Sequence, residues 1–149
     1  MRYRQALLVL LLAGVAAGTS LLLAQTRPAE APLTILVSID GWRWDYTDRA
    51  NVPNLKALAA RGVRSEGLIP SFPTVTFPNH YTIVTGLVPD HHGIVANGMF
   101  DGAIGPEKFT MSAATSKDPR WWGGEPIWVT AIKQGHPSAC AFWPGSDRG

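Results

Sequence analysis

The sequence predicts an α/β domain with a mostly parallel sheet flanked by helices, behind an N-terminal export leader. Three observations predict it. Leu33-Thr-Ile-Leu-Val-Ser-Ile39 is a nearly continuous apolar, β-branched run, as expected of a strand buried on both faces. Helical spacings follow, first at Leu55, Leu58 and Ala59 and again from His80 to Val84. Short apolar runs at 94–96 and 138–142 alternate with these helices, which is the order of a parallel sheet.

The elements follow from the N-terminus. Met1-Arg-Tyr-Arg-Gln5 is a short basic start, and residues 6–24 are mostly Leu, Ala and Val. Small residues follow, including Ala29-Glu-Ala31, which completes the three-part pattern of a secretory signal. The apolar stretch approaches the ~20 residues that span a bilayer, so a membrane tether through residues 6–24 is the competing reading. Arg2 and Arg4 favour a cytoplasmic start in either case. The rest of the chain is expected outside the cytoplasm, secreted or periplasmic, or anchored and facing outward. Two regions result: 1–31, signal or anchor with linker, and 32–149, the part carrying the α/β elements.

After the first strand, Asp40-Gly41 is a turn signal. Asn54 is read as a helix cap and Gly62 as the stop. Residues 67–76 are irregular. Pro78 suits a first helical position, with the helix running to Gly86. Ile94-Val-Ala96 is a short strand and 101–120 a long polar loop. Pro126 opens a third helix that ends at Gly135, and Ser138 to Phe142 is the next strand.

Composition narrows the function. Of 149 residues, 13 are Lys or Arg and 11 are Asp or Glu, a net charge of +2. Arg2, Arg4 and Arg27 against Glu30 carry all of that excess, so the remainder is neutral. Nucleic-acid binding needs clustered basic residues, and no such patch follows residue 31. A hydrophobic fraction of 46% opposes disorder. A single cysteine, Cys140, excludes a disulfide framework or thiolate zinc cluster within the chain.

Two positions could carry chemistry. Asp40 lies at the carboxyl end of a strand, where open α/β sheets bind ligands. It could hold a metal ion or merely stabilise its own turn. Thr76 lies at a helix start, where free N–H groups and the helix dipole favour an anion. Its hydroxyl could attack a bound phosphoryl group if activated, or could simply cap the helix. Asn97-Gly98 is a turn whose amide could donate to a phosphate oxygen. His91-His92 reads as a solvated turn, and Trp121 to Trp128 as aromatic packing onto the following helix.

Five blocks in order, SIDGWRWDY (38–46), VPNLKALAARGV (52–63), FPTVTFPNHYTIVTGLVPDHHGI (72–94), WWGGEPIWVTAIKQG (121–135) and FWPGS (142–146), resemble the nucleotide pyrophosphatase/phosphodiesterase family. That family lies within the alkaline phosphatase superfamily. The resemblance implies an alkaline phosphatase-like fold, incomplete in this chain, and two divalent metal ions, expected to be zinc. It implies Asp40 as a metal ligand and Thr76 as nucleophile and ligand to the same metal. Phe77 would contact the substrate, and Asn97 would hold a phosphate oxygen. The implied substrate is a nucleotide or other small phosphodiester. Sulfatases of the superfamily are disfavoured, because Thr76 cannot become their formylglycine and His80 stands where they carry Arg. A phosphate monoesterase or a non-catalytic exported binding module remains as an alternative. The family draws its other metal ligands from far downstream of the nucleophile, so the chain is expected to be an N-terminal portion with negligible activity alone.

Overall fold

The computed structural model describes residues 33–147, so the expected leader at 1–31 lies outside the described residues. The chain divides into two compact units, Met1–Val37 and Ser38–Gly149. In the first, 33–37 forms no helix or strand and is exposed.

The second unit is built from short helices: α1 (Tyr46–Arg49), α2 (Pro53–Arg61), α3 (Thr76–Thr85), α4 (Pro89–His92), α5 (Ala113–Ser116) and α6 (Ile127–Lys133), with a 3₁₀ turn at Pro119–Trp121. Proline and glycine set most of the boundaries. Pro53 and Pro89 open α2 and α4 at the first turn, where a missing N–H costs nothing. Gly62, Gly86 and Gly93 close α2, α3 and α4.

Three expected boundaries move. Val52, not Asn54, is the N-cap of α2, and Asn54 lies inside the helix. Helix α3 begins at Thr76, two residues before Pro78. The whole first turn lacks intrahelical N–H partners, so proline is tolerated at its third position as well. The 101–120 segment holds α5 and the start of the 3₁₀ turn instead of a featureless loop.

The core is aromatic. Tyr81, Val84, Ile94, Phe109, Trp121 and Trp122 form one buried cluster, edged by Phe77, Met99, Ile104, Trp128 and Trp143. Pro78, Tyr81 and Val84 recur at three-residue spacing and turn one face of α3 into it. Phe109 enters through a bridge to Met99, with N–H···O distances of 3.2 and 2.9 Å in the two directions. Trp122 meets Tyr81 edge-on at 4.8 Å between ring centroids, and its indole N–H donates to the Ser116 carbonyl at 2.7 Å. The pair Trp121-Trp122 is thus buried, but its ring contacts are with Phe77, Tyr81 and Phe109, ahead of it in the chain, where packing onto the following helix was expected. Burying each such ring contributes on the order of 2–3 kcal/mol.

The expected sheet is not formed among the described residues. The runs 33–39, 94–96 and 138–142 pair with no strand, and the Met99–Phe109 bridge stands alone. A parallel strand draws its hydrogen bonds from neighbours on both sides, and these runs have none here. Among the described residues no helix is long and apolar enough to cross a membrane.

Candidate active site

The Asp40 turn begins the site. Trp42 N–H donates to the Ile39 carbonyl at 3.2 Å, and Gly41 turns the corner at φ +67°, where a side chain would be strained. Asp40 is exposed. It accepts a hydrogen bond at Oδ2 from the Thr76 hydroxyl, at 3.2 Å. Thr76 is the first residue of α3 and does not cap it; the N-cap is Val75, in extended conformation.

The first turn of α3 offers fewer free donors than its sequence suggests. Phe77 N–H donates to Asn97 Oδ1 at 2.8 Å, Pro78 has no N–H, and Asn79 N–H donates to the Val75 carbonyl at 3.3 Å. Thr76 N–H has no hydrogen-bond partner among the described residues. The Asn97 amide is oriented by the same contact. With Oδ1 turned to Phe77, its NH2 is the group left to offer a ligand. Asp40, Thr76 and Asn97 are thereby linked around one helix start. The Phe77 ring is half-buried and packs on Phe109 and Trp122, at 5.8 and 5.9 Å between centroids.

Supporting contacts hold this turn. Asn79 Nδ2 donates to the carbonyls of Pro73 and Val75 at 2.9 and 3.0 Å, fixing the segment that leads into α3. His80 Nδ1 lies 2.8 Å from the Thr76 carbonyl and Nε2 lies 3.0 Å from Ser38 Oγ. Ser38 and Asn79 were not among the residues singled out from the sequence, and His80 had no role beyond its place in the motif. The available signal for His80 was its position four residues after Thr76, on the same helix face.

The remaining histidine pair separates. His91 is exposed, whereas His92 is fully buried, so the solvated-turn expectation fails for His92. Its Nδ1 accepts Ile94 N–H at 3.2 Å, which leaves the hydrogen on Nε2 to donate to Thr82 Oγ1 at 3.0 Å. Burial pushes the imidazole pKa down, against smaller opposing contributions from backbone hydrogen bonds and Asp90. The physical reason is its place in sequence: His92 closes the last turn of α4 and stacks edge-on against Tyr81 at 5.1 Å.

A carboxylate and a hydroxyl are hard oxygen donors, so Asp40 and Thr76 fit a divalent cation chemically. They supply two of the roughly four ligands that zinc takes. Among the described residues no group of three or more His, Cys, Asp or Glu could complete such a site.

The family model for type I phosphodiesterase/nucleotide pyrophosphatase matches residues 34–148. The chain is 52% identical over 114 residues to an uncharacterised pyrophosphatase/phosphodiesterase of Schizosaccharomyces pombe, covering 76% of this chain and 24% of that protein. It is 49% identical over 120 residues to a bis(5'-adenosyl)-triphosphatase of Xenopus laevis, covering 80% and 26%. Among solved structures it is similar to murine ectonucleotide pyrophosphatase/phosphodiesterase 5, an inactive threonine-to-alanine variant in complex with AMP. The TM-score is 0.69 at 40% identity, covering 74% of this chain and 30% of that one. The chain thus spans about a quarter of the length of these curated relatives. A match over nearly all of 34–148, shared by sequence and by fold, is enough to place it: the chain belongs to the type I phosphodiesterase/nucleotide pyrophosphatase family.

Proposed function

We propose that this chain is the N-terminal part of an exported, metal-dependent nucleotide pyrophosphatase/phosphodiesterase in which Thr76 is the nucleophile. The observation that carries the reading is the 3.2 Å contact between Thr76 Oγ1 and Asp40 Oδ2 at the start of α3, with the Asn97 amide beside it. Three further facts support it: the family match, the AMP bound to the murine relative, and that relative's inactivity as a threonine-to-alanine variant.

Thr76 Oγ1 attacks phosphorus, and the bond from phosphorus to the leaving-group oxygen breaks. Asp40 Oδ2 already accepts the hydroxyl hydrogen, so it takes that proton as the new bond forms, while the leaving oxygen departs on the opposite side and takes its proton from water. A nucleotide ester of Thr76 remains, which water hydrolyses to a nucleoside monophosphate. The Asn97 NH2 and Thr76 N–H donate to phosphate oxygens, helped by the positive end of α3. Phe77 lines the leaving or base side of the substrate. Asp40 and Thr76 would hold a divalent cation, expected to be zinc, one of a pair. When bound, such a cation lowers the hydroxyl pKa and steadies developing negative charge. The other ligands, and the strands that would join 33–39 and 138–142 into a mostly parallel sheet, are assigned to sequence beyond this chain.

The test is hydrolysis of a p-nitrophenyl nucleotide ester by the full-length protein. Activity should be lost on chelation, return with zinc, and exceed that on p-nitrophenyl phosphate. Thr76→Ala should reduce kcat by on the order of 10³-fold or more. Full activity in Thr76→Ala refutes the nucleophile. A preference for the monoester supports a phosphatase instead, and no hydrolysis of either ester supports a binding module.

A further inference from the structure

We propose that His80 is a positioning residue: its imidazole clamps the segment carrying Asp40 to the helix turn carrying Thr76, and so sets the distance between carboxylate and nucleophile. The inference rests on the reading of Thr76 as nucleophile and extends it to two residues that do not touch substrate.

The hydrogen positions follow from chemistry. The Thr76 carbonyl can only accept, so His80 Nδ1, 2.8 Å away, carries the hydrogen. The neutral ring then has a bare Nε2, and the Ser38 hydroxyl, 3.0 Å away, donates to it. Ser38 lies two residues before Asp40, and the Thr76 carbonyl belongs to the nucleophile itself. One rigid ring therefore bridges the two backbone segments whose side chains meet at 3.2 Å.

The ring is itself fixed from a third side. Trp143 meets it edge-on at 5.5 Å between centroids, and the Trp143 indole N–H donates to the His80 carbonyl at 2.9 Å. Without the clamp, the Asp40 turn meets α3 through the single Thr76–Asp40 hydrogen bond, a contact worth only about 0.5–1.5 kcal/mol net. Ser38, Ile39 and Asp40 are exposed and paired to no strand among the described residues, and the further hydrogen bond they make there is local, from Trp42 N–H to the Ile39 carbonyl. A displacement near 1 Å in a reacting constellation can cost roughly 10²-fold in rate.

The test uses the full-length protein with a p-nitrophenyl nucleotide ester. His80→Asn keeps a donor near the Thr76 carbonyl but cannot reach Ser38; Ser38→Ala removes the other end of the bridge from an exposed position. Expected are a fall in kcat of about 10- to 100-fold for His80→Asn and about 3- to 10-fold for Ser38→Ala. KM should stay within about twofold, and the double variant should be no worse than His80→Asn alone. Nitrogen NMR of histidine-labelled wild-type protein, assigned by the signals lost in His80→Asn, should show Nδ1 protonated and Nε2 bare, and the Nε2 shift should move in Ser38→Ala. Wild-type kcat in both single variants, with Thr76→Ala inactive, overturns the clamp and leaves the nucleophile standing. An Nε2-protonated ring also overturns it. Should His80→Asn fail to fold, the Ser38→Ala kinetics and the wild-type tautomer decide alone.

Discussion

Residues 38–72 and residues 76–128 are built on different principles. In the first stretch no residue is buried, and α1 is held by polar links such as Lys56 of α2 to the Asp48 carbonyl and Arg64 to the Asp48 carboxylate. In the second, Tyr81, Phe109, Trp121 and Trp122 close a dry aromatic cluster around one face of α3. Surface ion pairs contribute little, whereas buried rings contribute several kcal/mol in sum. The nucleophile candidate stands on the rigid stretch and its carboxylate partner on the loose one. Precision at the site therefore depends on the few hydrogen bonds that cross between them.

Four perturbations of the full-length protein sharpen that contrast, in descending order of effect. Trp122→Ala removes the ring shared by Tyr81, Phe77 and Phe109 and should destabilise by about 3–5 kcal/mol in chemical denaturation. Gly145→Ala places a methyl group 2.9 Å from Trp122 Cε3 at a backbone φ of +84°. Strain and overpacking together should cost about 1–3 kcal/mol, read from the same melts.

The third is a pH series. The native pKa of His92 lies below its ordinary value of 6.5, so the unfolded chain takes up the proton first. Its contribution to stability is complete above about pH 6.5 and is lost as pH falls from there through the depressed native value. One proton limits the slope to about 1.4 kcal/mol per pH unit. His92→Asn should flatten this part of the profile; an unchanged slope would mean that other groups carry it. The smallest effect belongs to the loose stretch. Arg64→Met removes the guanidinium that holds the Asp48 carboxyl below its usual range, yet both groups are exposed. Its melting temperature should be indistinguishable from wild type at physiological salt.

The same contrast explains what could be seen in the sequence. Helices α2, α3 and α6 were legible because proline, glycine and apolar spacing act locally. Asp40, Thr76 and Asn97 were marked because their motifs sit at element ends, and Phe77 through the family resemblance; the four lie together around the start of α3. Phe109 was missed in a polar segment, since only a bridge to Met99 carries it inward. His92 looked like half of a solvated pair until Thr82 and Tyr81 closed over it. The Ser38–His80 link spans 42 residues, and no local pattern encodes such a contact. The expected strands are unpaired among the described residues for a complementary reason: an apolar run signals burial but cannot name the neighbour it pairs with.

The Trp143 hydrogen bond to His80 has a consequence for how the protein is made. The two residues are 63 positions apart, so the imidazole acquires its third support only after a long further stretch has been synthesised. Ribosomes add roughly 5–20 residues per second, which puts that moment about 3 to 13 s after His80 is joined to the chain. Until then the ring is held by the Ser38 hydroxyl and the Thr76 carbonyl alone. The full set of supports around His80 is thus a late product of translation.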